Sequence, residues 1–134
     1  MVWTPSHPAY FGAFRSAISP PERNQQNRKK YYFELSNASD FARIEELFDD
    51  HSTFCTHNLD YFIGAKNIML MQRAHHGLYQ KLYWEITAVE EIKAGVIRIE
   101  FDFSALNKAS ESVRFLGIEY ILIREVIIRH IEVA

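Results

Sequence analysis

The stretch DDHSTFCTHNLDYF, residues 49–62, packs three aspartates, two histidines and the chain's one cysteine into fourteen positions. Side chains of those types could hold a metal or activate a thiol. If His51–His57 is extended, alternation places His51, Thr53, Cys55 and His57 on one side. At ~3.3 Å per residue, His51 and Cys55 stand roughly 13 Å apart, too far to share one ion. Cys55 and His57 are close enough, but zinc would need two further ligands from elsewhere. His75 and His76 point about 100° apart on a helix and make a poor pair. No metal and no other cofactor is expected. A nucleophilic Cys55 would need an activating base, and His57 could serve. A small buried cysteine on a strand is the simpler reading. Asp49 and Asp50 read as turn residues whose carboxylates compete for backbone hydrogen bonds. The stretch is therefore an ordinary strand whose inward side can line a pocket, with Phe54, Cys55 and His57 as the candidate lining residues.

The last hairpin offers a better constellation. If Arg124 and Glu125 form its loop, Ile123 faces Val126 and Glu119 stands opposite His130. Cross-strand Cβ atoms are ~5 Å apart, within reach of a carboxylate–imidazole hydrogen bond. Such a pair would orient His130 and raise its pKa, making it a general acid or base. The alternative is an ion pair on a sheet surface, and an odd loop length would break the pairing altogether. On the first helix Tyr31 and Tyr32 could donate a phenol or simply pack. Trp84, Phe101 and Phe103 suit a pocket wall and a core equally well.

Elements must place these groups. Pro21 suits the first turn of a helix running to about Leu35. Ser39 is the expected N-cap of a second helix, in which Phe41, Ile44, Leu47 and Phe48 share one face. Gly64 opens a third, with Ala65, Ile68, Met71 and Leu78 inward and Gly77 as its stop. From there the period changes to two, giving strands over 82–92, 96–106, 113–123 and 126–133. Ile97, Ile99, Phe101 and Phe103 share a face, with Arg98, Glu100 and Asp102 opposite. Short links make the strands antiparallel neighbours, and the class is α+β. The last two strands are apolar on both faces, so both must be covered. Helices can cover one, and a second copy of the chain is expected on the other, giving a homodimer.

At 134 residues, 48% hydrophobic and 14% aromatic, the chain has enough apolar material for one packed domain. An aromatic, proline-punctuated arm over 1–20 precedes a domain over 21–134. A net charge of −2 and a pI near 6.3 show no basic footprint for nucleic acid. No apolar run reaches the ~18 residues of a membrane span, and a lone cysteine suits a reducing compartment. A soluble, cytoplasmic protein is expected.

The segments ARIEELFDDHSTF, YFIGAKNI and GLYQKLYWEITAVEEI, followed by a three-strand meander, resemble the nuclear transport factor 2-like superfamily. The likeness is to its SnoaL-like and ketosteroid-isomerase-like branch and covers about residues 28–134. It implies a cone, in which a curved antiparallel or mixed sheet wraps the N-terminal helices and leaves an apolar pocket at the open end. In ketosteroid-isomerase-like relatives an aspartate on the first strand moves the proton. Here Cys55 or Thr56 falls near that position, so that route is not expected. Glu119 falls where some relatives carry a second pocket acid, and Tyr31 and Tyr32 are candidates for the helix tyrosine that some similar enzymes carry. The expected function is binding of a small apolar or ring-containing organic ligand. Two alternatives stand beside it. One is an isomerase, cyclase or dehydratase using His130, Glu119 and Tyr32; the other is a non-catalytic dimerisation module.

Overall fold

The computed structural model describes residues 25–134. The expected arm and the start of the first helix lie outside the described residues. Helices α1 (Gln25–Asn37), α2 (Phe41–Glu45) and α3 (Ala65–His76) accompany strands β1 (Thr53–Cys55), β2 (Tyr61–Ile63), β3 (Tyr79–Lys93), β4 (Val96–Asn107), β5 (Ser112–Arg124) and β6 (Ile127–Val133). The strands form one sheet in the order β2-β1-β6-β5-β4-β3. Among the described strands only the β1–β6 pair is parallel, so the sheet is mixed. This is the α+β cone anticipated above. No helix among the described residues is long and apolar enough to cross a membrane.

Bulges curve the sheet. Relative to β4, β3 carries an extra residue at Gln80, Thr87 and Ile92. Each extra residue bends its strand and raises the local twist. The inward face of β4 is as its alternation requires, with Ile97, Ile99, Phe101 and Phe103 all buried. Ile121, Ile123, Ile128 and Ile131 join Ile97 and Ile99 from β5 and β6, and Ile44, Ile68 and Met69 meet them from the helical side. Burying a side chain of this size contributes about 1.5–3 kcal/mol, so this cluster holds the helices against the sheet.

Local details depart from the sequence reading. Asp40, not Ser39, caps α2, accepting from the Arg43 backbone N–H at 3.3 Å. Ser39 instead takes a left-handed φ of 53°. In α3 the buried positions are Ala65, Ile68, Met69, Gln72 and His76. Met71 is half-buried and Leu78 is 57% exposed, because the helix stops at His76 and Leu78 no longer follows its face. The open edge of β3 is closed by Asn37 at the end of α1. Its side-chain amide donates to the Trp84 carbonyl at 3.0 Å and its oxygen accepts from the Trp84 N–H at 2.7 Å. That fork satisfies backbone groups that an edge strand would otherwise leave bare, and it fixes α1 beside Trp84.

The last hairpin is the main correction. Arg124 pairs with Ile127, so the loop is Glu125-Val126 and not Arg124-Glu125. Both loop residues have left-handed φ, 54° and 61°, the geometry of a type I′ turn. A bulge at Arg129 then adds a further one-residue slip, pairing Leu122 with His130 and Glu119 with Val133. His130 is therefore not opposite Glu119. Turn chemistry misled the count, since Glu-Val carries none of the residues that normally favour φ > 0.

Candidate functional site

The inward face of the central strands carries three successive cross-strand rows. Trp84, Phe103 and Phe115 form the first, with ring centroids 4.9 Å apart at both steps. In the second, Phe101 lies between Ile86 and Gly117. A Cβ on Gly117 would stand 2.4 Å from Phe101 Cζ, so the ring occupies the space that a side chain there would need. In the third, Glu119 sits between Ile99 and Val133, a carboxyl in an apolar row.

Between this face and the helices lies a cavity of about 600 Å³. Tyr32 and Phe33 enter it from α1, Gln72, His75 and His76 from α3, and His57 and Asp60 from the β1–β2 connection. Phe54, Trp84, Phe101 and Glu119 line it from the sheet. No Lys or Arg occurs among its described lining residues.

Burial sets the ionisation of this cavity. Glu119 is 6% exposed, its Oε1 has no hydrogen-bond partner, and burial pushes its pKa up to about 8. It is thus a neutral carboxylic acid at pH 7. The Tyr32 hydroxyl accepts from Gln72 Nε2 at 3.0 Å. Burial, and secondarily the Glu119 charge, push its pKa well above the usual phenol value, although Gln72 and Ser36 pull the other way. Gln72 Oε1 is also buried without a partner. Burial lowers the pKa of His75 and takes His76 to about 4, with His75 adding to the second shift. Both imidazoles are neutral at pH 7. His76 Nδ1 lies 2.9 Å from Ser39 Oγ, and its ring packs 5.3 Å from Trp84. The arrangement offers two weakly acidic donors, two neutral imidazoles and two unoccupied oxygens, all within aromatic walls.

The structure brings Tyr32, Phe54, His57, Trp84, Phe101 and Glu119 to one cavity. Tyr31 is 36% exposed, and Phe103 is buried in the first row, behind the lining. Thr53 and Cys55 alternate with Phe54 and share the opposite, outer face with their β6 partners His130 and Glu132. There His130 Nδ1 lies 2.6 Å from Thr53 Oγ1 and His130 Nε2 lies 2.9 Å from Glu132 Oε1. The His130 hydrogen bond lowers the Glu132 pKa; burial, then the Glu132 carboxylate, raise that of Cys55. The Cys55 thiol thus stays protonated at neutral pH. Asp49 and Asp50 follow α2 in the turn. Asp49 accepts from the His51 N–H at 2.9 Å and pairs with Arg129, which fits a turn residue. Among the described residues no group of three or more His, Cys, Asp or Glu side chains could hold a metal ion. Gln72, His75 and His76 were missed as lining residues, and the α3 stripe of 65, 68, 72 and 76 is the periodicity that could have found two of them.

No protein-family profile and no curated protein sequence matches the chain. Solved structures do match in fold. A candidate polyketide cyclase from Xanthomonas campestris aligns with a TM-score of 0.76 at 10% identity, over 84% of this chain and 90% of its own. A ketosteroid isomerase-like protein from Catenulispora acidiphila, in complex with trimethylamine, gives 0.73 at 12% identity, over 80% and 83%. A nuclear transport factor 2-like protein of unknown function from Exiguobacterium gives 0.72 at 15% identity, over 80% and 96%. At these identities the likeness is one of fold.

Proposed function

We propose that this chain, built on the cone shared with those proteins, binds a compact organic molecule whose body lies against Trp84, Phe33 and Phe101. Its polar end meets Glu119, Gln72 and Tyr32. The observation that carries this reading is Glu119: a buried acid with an oxygen left unpartnered, facing a 600 Å³ cavity. An unmade hydrogen bond on a buried group costs about 1–3 kcal/mol, which a ligand can recover. With no Lys or Arg in the described lining, an anionic ligand would find no countercharge. The ligand is neutral or cationic.

A thermal-shift screen with small ring-bearing organics tests this. A ligand at 100 times its Kd should stabilise the fold by about 2.7 kcal/mol. The shift should survive His130→Ala, because that side chain faces away from the cavity. A response that vanished with His130→Ala and survived Glu119→Gln would place the ligand elsewhere.

A second reading rests on the same donors. Protonated Glu119 and the Tyr32 phenol could both donate to a ligand carbonyl, while neutral His75 or His76 accepts a proton, which is acid–base chemistry of an isomerase or cyclase type. The outer face, with Ile118, Tyr120 and Leu122 only half-buried, is proposed to pair with a second copy. Sedimentation at micromolar concentration should then give twice the mass of 15.7 kDa; a monomer there would remove the dimer.

A further inference from the structure

We propose that the preferred ligand is an organic ammonium ion, its charge set against the Glu119 carboxylate and its substituents against the faces of Trp84, Phe33 and Phe101. This rests on the binding reading above and names its ligand class.

The unsatisfied atoms favour a ligand that donates over one that only accepts. Both orphaned polar atoms that line the cavity, Glu119 Oε1 and Gln72 Oε1, are oxygens. The Gln72 amide nitrogen is already used on Tyr32. A carbonyl ligand could accept a hydrogen bond from Glu119 but would offer no donor to Gln72 Oε1. An ammonium ion suits both oxygens, and aromatic faces attract a cation within about 6 Å. No described lining residue is Lys or Arg.

The groups facing Glu119 are compatible with this. Tyr32 on α1 stays protonated, His75 and His76 on α3 are held neutral by burial, and Ile99 and Val133 beside it carry no charge. His57 and Asp60 lie in the β1–β2 connection, where Asp60 adds a second negative group. The proton balance is simple. The empty site holds Glu119 as COOH; the bound site holds it as COO⁻ against the cation, and one proton passes to solvent. Affinity for a permanent cation should therefore rise with pH until Glu119 is ionised without help.

The test uses 3-(hydroxymethyl)phenyltrimethylammonium and its uncharged isostere 3-tert-butylbenzyl alcohol, neither of which titrates near neutrality. Calorimetric titration of the full chain at pH 6 and pH 9 should show the cation binding more than roughly tenfold tighter at pH 9. At pH 6, buffers of different ionisation enthalpy should reveal proton release. Glu119→Gln should erase both the charge preference and the pH slope, and a melting temperature at pH 4.5 close to that of the native chain shows that the variant folds. Equal binding of the two probes by the native chain overturns the ammonium assignment and leaves the pocket reading standing. A preference that survives Glu119→Gln, or is lost only with Asp60→Asn, also overturns it. Binding of neither probe overturns both.

Discussion

Glu119→Gln should raise the melting temperature at pH 8.5 by several degrees and leave it nearly unchanged at pH 4.5. The native fold holds the Glu119 proton up to about pH 8, against an ordinary value of 4.5. Folded chains therefore bind more protons than unfolded ones across that window, and stability falls as pH rises through it. The contribution is whole below about pH 4.5, is lost progressively toward pH 8, and is flat above. At 1.36 kcal/mol per unit, the ceiling is on the order of 3–5 kcal/mol, and a domain of this size shifts by roughly 3–5 °C per kcal/mol. Glutamine keeps the shape of the neutral acid and cannot ionise. His75 and His76 act in the opposite sense, since their folded pKa values are lowered and stability is lost as pH falls below the ordinary histidine range. They are present in both proteins and cancel in the difference. Calorimetric melts of both at pH 4.5, 6.5 and 8.5 check this; a constant offset at all three would mean that Glu119 ionises normally.

Gly117→Ala should close the cavity to ligand as well as destabilise the fold. The new Cβ would lie 2.4 Å from Phe101 Cζ, 2.8 Å from Cε1 and 3.0 Å from Cε2, so the ring must swing. Phe101 is 3% exposed and bounded by Phe33 and Phe115, each with its ring centroid 6.4 Å away. The cavity it lines is free space into which the ring can swing. Forcing a side chain out of a packed site typically costs about 1–3 kcal/mol. The variant should melt lower and lose affinity for any ligand seated on Phe101. Adding Phe101→Leu should relieve the contact, so the double variant should be more stable than the sum of the two single effects. Unchanged ligand affinity in Gly117→Ala would show that the ring has room to move without entering the cavity.

Much of the architecture follows from residue pattern alone. The change of period after Gly77 marks the passage from helices to sheet, and the alternation of Ile97, Ile99, Phe101 and Phe103 assigns the buried face of β4. Both signals are local, because a helix or strand must repeat its apolar face at its own period. Glu119, Tyr32, Trp84, Phe101 and His57 could be named only as candidates, since a wall residue and a core residue carry the same local pattern. What local pattern could not supply was register. The φ > 0 turn at Glu125-Val126 and the bulge at Arg129 together slide β6 by three residues, placing Val133, not His130, beside Glu119. A slip of odd length sends a side chain to the other face, and His130 accordingly joins Thr53 and Glu132 outside the cavity. Only tertiary structure could also bring Gln72 of α3 to Tyr32 of α1, forty positions away in sequence. The raised pKa of Glu119 likewise comes from desolvation, set by what three-dimensional packing lays over the carboxyl.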